Sequence, residues 1–265
     1  MIINPYAFGV AYDPDAQAFF TASGLTGATE LNAVNQLVVD LKAANIWTKM
    51  KAIYPFVGGT AALHKWNLKD PQDLDAAFRL VFNGGWTHSA TGALPNGTNG
   101  WAETYFNIST NFTNANKGSA GGYWRTVLPN NNFFFGINVP AAGNSSRFWI
   151  RSTGGNKDHY AGGLTLLREL GVTDFSGFSA MSRRASNDMF AIKKDGTYIA
   201  LTTNVTISFS NATLPLAAQN SFGTISNYHN SEISLMYISD DITQSEMTDL
   251  RTAVNTFQTT LSRQV

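Results

Sequence analysis

Between Lys51 and Ser239 the chain sustains no helical period: apolar residues come in short or alternating runs, interrupted every few positions by Gly, Pro or Asn. Alternation with period two sends successive side chains to opposite faces of a strand. A series of such runs separated by turn residues is the pattern of an all-β sandwich or barrel. The expected strands are KAIYPFV, AAFRLVF, AETYFNI, NFFFGIN, RFWIRS, GFSAMSR, DMFAIKK, TYIALT and EISLMYIS. Within DMFAIKKDGTYIAL, Asp195-Gly196 predicts a two-residue hairpin loop, with Lys194 opposite Thr197 and Ile192 opposite Ile199. That register would place Phe190, Ile192, Ile199 and Leu201 on one face. Residues 111–122, NFTNANKGSAGG, read as the most loop-like stretch.

Helical periodicity is confined to the two ends. In DPDAQAFFTASG, Asp13 suits an N-cap, Pro14 the first helical position, Asp15 the positive end of the dipole and Gly24 a left-handed stop. From Thr29 to Ala44, Leu31, Val34, Val38 and Leu41 stripe one helical face. Near the C-terminus Thr243 and Glu246 form a capping box, and Ile242 is placed to staple against Met247. Met247, Leu250, Val254, Phe257 and Leu261 then make an apolar stripe, which is expected to dock on the protein's own sheet or its N-terminal helices. With no tandem repeat and no long linker, the expected division is residues 1–50 as an N-terminal arm and helical segment, and residues 51–265 as a β-sandwich with a closing C-terminal helix.

Composition narrows the function classes. At 43% hydrophobic, 265 residues can bury a sizeable core, whereas only 14% are charged, about half the usual share. Eighteen basic residues balance eighteen acidic ones without a cationic run, so neither nucleic acid nor an anionic membrane is an expected partner. The absence of cysteine excludes disulfides, thiolate metal sites and a cysteine nucleophile. MIINPYAFGV has no basic n-region, and no segment approaches the roughly 18 apolar residues of a membrane span. The expectation is synthesis in a cytosol without a secretory signal, and MIINPYAFGV is a candidate anchoring arm or an edge strand.

Catalytic signatures are missing. The glutamates Glu30, Glu103, Glu169, Glu232 and Glu246 are scattered singly, with no strand carrying the acid-x-acid pair common in sheet-based glucanases; only Glu103 and Glu232 are candidates to meet in space. The histidines His64, His88, His159 and His229 show no metal-ligand spacing, Asp158 and His159 alone being adjacent. Asp70, Asp73 and Asp75 come nearest to a calcium loop, but they also read as a turn entering a strand. There is no GxSxG elbow and no phosphate-binding Gly-rich loop. The expectation is therefore a non-enzyme with no cofactor and no metal.

Aromatic residues carry the positive signal. Trp86, Trp101, Tyr123, Trp124 and Trp149, with His88, offer flat faces for stacking on sugars or gripping a partner, and Asn96 and Asn99 offer paired donors and acceptors. The alternative is that they fill the core. The candidate glycan- or partner-binding residues are Trp86, His88, Asn96, Asn99, Trp101 and Trp124; Gly84-Gly85 and Gly100 mark turns before Trp86 and Trp101.

The block IWTKMKAIYPFVGGTAALHKWNLKDPQDLDAAFRLVFNGGWTHSATGALPNGTNGWAET, with the helical segment before it and the ending LMYISDDITQSEMTDLRTAVNTFQTTLSRQV, resembles phage virion proteins of the tail-fibre and appendage type from phages of the Bacteroidetes. The likeness covers roughly residues 10–104 and 230–265. It implies a concanavalin A-like, laminin-G-type jelly roll, two antiparallel sheets with a final strand and then a helix. It also implies a virion structural protein on the tail or capsid surface that contributes to host attachment, with other virion proteins, further copies of itself and a host surface glycan as partners. It brings no catalytic residues. The rival readings are a carbohydrate-binding, lectin-like module and a glycan depolymerase.

Overall fold

Asp13 and Gly24 bound the first helix as their chemistry requires. In the computed structural model, which describes residues 11–114, 116–126, 133–139, 146–162, 166–201 and 209–265, α1 runs Pro14–Ser23. The Asp15 N–H donates to the Asp13 side chain, and Gly24 stands at φ +74°. Helix α2, Ala28–Ala43, buries Val34, Leu37, Val38 and Leu41. A single turn, α3 (Ala61–His64), is capped by Thr60. Helix α4, Gln244–Thr260, begins with both bonds of the Thr243/Glu246 capping box, and Lys49 pairs with Glu246 at 2.6 Å. The residues 1–10 proposed as an arm or edge strand lie outside the described residues.

Two antiparallel sheets form a sandwich. The first runs in the order Tyr198–Leu201, Asp188–Ile192, Gly177–Ala185, Gly118–Trp124, Ile233–Ser239, Gly92–Pro95, Trp86–Ser89, with Met50–Tyr54 also paired to Ile233–Ser239. The second runs Leu167–Glu169, Asn156–Ala161, Ser146–Thr153, Phe133–Val139, Thr213–Leu216, Trp101–Asn107, Val81–Asn83. Gln219–Ser221 adds a short parallel pairing to Phe133–Val139 and an antiparallel one to Thr224–Ser226. Residues such as Tyr54, Phe106, Trp124, Phe135, Phe148, Met236 and Ile238 make up the core between the sheets. A second apolar layer, including Phe178, Phe190, Ile192, Leu235 and Tyr237, joins the outer face of the first sheet to α1, α2 and α4. Met247, Leu250, Val254 and Phe257 of α4 are all buried in that layer, as is Ile242. The terminal helix thus docks on its own sheet and helices, and the fold is the expected mainly β jelly-roll sandwich with helices at both ends.

Three local expectations are corrected. Gly118–Trp124, most of it inside the stretch read as a loop, is a central strand buried at every position. Its glycines answer to close packing: a Cβ on Gly121 would lie 2.4 Å from the Cβ of Ala180, and one on Gly122 would lie 2.5 Å from the Leu235 carbonyl oxygen. The hairpin at Asp195-Gly196 has a three-residue loop. Lys193 N–H donates to Thr197 O, Gly196 takes φ +89°, and Ile192 pairs with Tyr198. Asp195 accepts from the Thr197 backbone N–H and hydroxyl, so the turn takes the form with a left-handed glycine third. This one-residue slip puts Leu201 in the inter-sheet core, with Ile199 packed against it, and leaves Phe190 and Ile192 on the helix side. Finally, AAFRLVF is extended only from Val81. Asp75–Ala77 forms a 3-10 turn and Phe78 sits at φ +60°, while the segment after it, between the turns marked by Gly84-Gly85 and Gly100, contains the hairpin Trp86–Ser89/Gly92–Pro95.

Candidate functional site

Helices cover the first sheet; the second sheet carries a recess on its outer face. Along Ser146–Thr153, Phe148 and Ile150 point into the core, so alternation sends Arg147, Trp149, Arg151 and Thr153 outward. Across the ladders Trp149 pairs with Gly136 on one side and Tyr160 on the other, Arg147 with Asn138, and Arg151 with Asp158. A register shift between Phe133 and Phe135 lets Phe134 and Phe135 both enter the core while Phe133 turns outward. A bulge re-aims a side chain in this way.

The result is a cavity of about 380 Å³ lined by Phe133, Trp149 and Tyr160, by Arg147 and Arg151, and by Asn138, Thr153, Gln219 and Asn227. Ring centroids lie 5.1 Å apart for Phe133 and Trp149 and 4.2 Å apart for Trp149 and Tyr160. The guanidinium of Arg151 sits 4.6 Å from the Trp149 ring centre and that of Arg147 5.2 Å from the Tyr160 ring centre, within range for cation–π attraction. Trp149 is 3% exposed, and its indole N–H has no acceptor among the described residues. The rings therefore form a foundation that orients two cations, and the polar groups form the surface.

Charge on this face is unbalanced. Asp158, fully buried, is held bidentately by Arg168 at 2.6 and 3.0 Å, and Arg151 reaches the same carboxylate only at 3.3 Å. The bond to Asp158 raises the Arg168 pKa. Arg147 donates to the neutral Asn138 Oδ1 at 3.2 Å and has no carboxylate partner among the described residues. The adjacent His159, like Lys157, is buried. Burial pulls His159 down to about 3 and Lys157 down to about 8, the latter partly offset by Glu169 and Asp174. Adjacent strand residues face opposite ways, so Asp158 and His159 cannot share a ligand.

The residues singled out in the sequence lie elsewhere. Trp124 is fully buried, 4.5 Å from Phe134 between ring centres, and is a core residue rather than a binding one. Trp86 is half-buried, its indole N–H donating to Asn83 O and Trp101 O, and Trp101, also half-buried, pairs with Asn83 in the ladder. His88 stacks near Trp86, and its Nδ1 lies 2.9 Å from Nδ1 of buried His64. Burial depresses both pKa values, that of His64 to about 3. Asn96 Oδ1 accepts from the backbone N–H groups of Thr98, Asn99 and Gly100, and Asn99 Oδ1 accepts from Gly85 N–H and Asn96. These amides are spent on shaping their own loop. The cavity on the second sheet was missed although RFWIRS writes Arg-x-Trp-x-Arg at period two, because its other walls come from positions up to eighty residues away.

The acids are also accounted for singly. Glu103 accepts from the Thr104 and Tyr105 N–H groups and the Thr213 hydroxyl, while Glu232, on the other sheet's strand end, binds Arg125 at 2.7 Å and Thr91. Asp73 and Asp75 pair with Lys65 and Arg79. Among the described residues no cluster of three acids or histidines is arranged to hold a metal, and no helix is long and apolar enough to cross a membrane.

No family model matches the chain, and no curated protein matches it in sequence. Among solved structures, a mutant of Trypanosoma rangeli sialidase displaying trans-sialidase activity is similar with a TM-score of 0.55 and 9% identity, over 86% of this chain and 39% of that one. Domain 4 of an extracellular arabinanase from Geobacillus stearothermophilus, in complex with arabinotriose, gives 0.47 and 15% over 76% and 98%. The CBM40 module of a Ruminococcus gnavus sialidase, bound to α2,3-sialyllactose, gives 0.38 and 16% over 50% and 80%. This chain spans 39% of the Trypanosoma sialidase's length, and the likeness at such identities is one of fold: a mainly β, two-sheet sandwich.

Proposed function

We propose that the chain is a lectin-like glycan-binding domain whose ligand lies in the recess on the outer face of the second sheet. The observation that carries this reading is the cavity itself: two guanidinium groups and the side-chain amides of Asn138, Gln219 and Asn227 surround an aromatic foundation on a sheet face not packed by α1, α2 or α4. Saccharides present many hydroxyls on a small apolar ring, and pockets of about 300–1,000 Å³ with a few fixed polar groups suit such ligands. The role is binding without bond cleavage, since Glu103, Glu232 and Asp158 are each committed to other partners.

The test is an array of bacterial and host-surface saccharides probed with the intact chain, with Asn138→Ala as the comparison. Binding that the substitution weakens supports the reading. Failure to bind any saccharide overturns it, and release of new reducing ends would turn it into a hydrolase.

For placement, we propose a phage tail or capsid appendage. This rests on the sequence resemblance of residues 10–104 and 230–265, the segments that supply the helices of the second apolar layer and two of the strands beneath them, Met50–Tyr54 and Ile233–Ser239. Density for this sandwich in intact particles, repeated with the symmetry of the mount, is the expected result; absence of the chain from purified particles would defeat it.

A further inference from the structure

We infer that the recess is selective for saccharides bearing an acidic group, with Arg147 and Arg151 gripping that group; the inference rests on the glycan-binding reading above. On the neighbouring strands at the recess three arginines, Arg147, Arg151 and Arg168, meet one carboxylate, Asp158, while Glu103, on the same face but two strands beyond Phe133–Val139, accepts from Thr104, Tyr105 and Thr213. Arg168 holds both oxygens of that carboxylate, leaving Arg151 a long contact at 3.3 Å and Arg147, among the described residues, only the Asn138 amide oxygen. Two cations are thus under-neutralised at the wall of a partly enclosed recess, where lower dielectric strengthens their attraction for an anion.

Their geometry is prepared for this role. The guanidinium groups lie 4.6 Å from the Trp149 ring centre and 5.2 Å from that of Tyr160, contacts that restrict both side chains so that less freedom is lost when they bind, and a guanidinium matches a planar or tetrahedral oxyanion with two parallel N–H donors. A neutral saccharide offers nothing that discharges them. An acidic one does, while its hydroxyls meet Asn138, Gln219 and Asn227. Carboxylate and sulfate groups share this chemistry.

Titration of the intact chain with matched neutral, carboxylated and sulfated oligosaccharides tests the inference. The acidic forms are expected to bind about tenfold or more tightly than the neutral parent, as hydrogen bonds to charged groups imply. Arg147→Gln, which leaves Asp158 and its partners untouched, should remove most of that advantage without shifting the melting temperature; Arg151→Gln should weaken acidic ligands likewise but also lower the melting temperature, because buried Asp158 loses one of its two arginine partners. Raising salt from about 50 to about 500 mM should weaken acidic ligands selectively. The carboxylated and sulfated arms identify which oxyanion is preferred. Binding of neutral saccharides at equal strength, or acidic binding indifferent to Arg147→Gln, overturns the inference and leaves the glycan-binding reading standing; binding to none of the three classes overturns both.

Discussion

Gly136 stands directly across the ladder from Trp149, and a Cβ on it would lie 2.7 Å from the Cβ of Trp149 and 2.8 Å from Cδ1 of Phe133. The missing side chain is what allows the two rings to close over the strand and support the arginines above them. Alanine ordinarily stabilises a strand relative to glycine by roughly 0.5–1 kcal/mol. Here the crowding should reverse the sign, so Gly136→Ala is expected to destabilise by about 1–3 kcal/mol and to alter the near-ultraviolet circular dichroism of the aromatic cluster. A stabilised variant with an unchanged spectrum would contradict this account of the site's floor.

Arg263 ties the end of the chain to the sandwich. It is 1% exposed and donates to the carbonyls of Phe56, Pro55 and Ser234 and to Gln258 Oε1, and burial lowers its pKa to about 10. Arg263→Met removes the donor to the Phe56 and Pro55 carbonyls and to Gln258 Oε1, leaving Ser234 O only the 3.4 Å bond from Gln258 Nε2, which should cost about 3 kcal/mol or more. Arg263→Lys keeps the charge but not the fork, and should recover only part of the loss. Urea midpoints for the three proteins check both statements.

The Thr243 hydroxyl accepts from Glu246 N–H at 3.2 Å while Glu246 Oε2 accepts from Thr243 N–H at 2.7 Å. Thr243→Ala should therefore lower stability by about 1 kcal/mol. Because Glu246 also binds Lys49 at 2.6 Å, Glu246→Ala loses two contacts and should cost more. Equal midpoints for wild type and both variants would show that burial of the α4 stripe alone sets the helix boundary.

Stability should fall on mild acidification. Burial pulls His64, His159 and His229 each down to about 3, whereas the unfolded groups titrate near 6.5. Between those values the unfolded chain takes up protons that the folded one refuses, so the stabilisation is complete above about pH 6.5 and is lost as pH falls toward 3. The three groups together give a slope of at most about 4 kcal/mol per pH unit. Denaturation midpoints measured from pH 7.5 to 5 should drop steadily, and His159→Leu should flatten the slope by about a third. A midpoint independent of pH over that range would mean the histidines are solvated.

What could be read directly from the residues was whatever depends on near neighbours. The caps at Asp13, Gly24 and Thr243, the stripes of α2 and α4, and most strands of the sandwich follow from side-chain bonding to adjacent backbone and from periodicity. Tertiary packing decided the rest. A segment as glycine-rich as Gly118–Trp124 looks like a loop until Ala180 and Leu235 crowd it from both sides, and Trp124 cannot be told from a surface tryptophan until Phe134 and Phe135 close on it. The recess likewise gathers Phe133, Arg147, Trp149, Arg151, Tyr160, Gln219 and Asn227 from five segments. Their adjacency is set by strand register, a long-range property that a one-residue slip inverts, as the hairpin at Gly196 demonstrates.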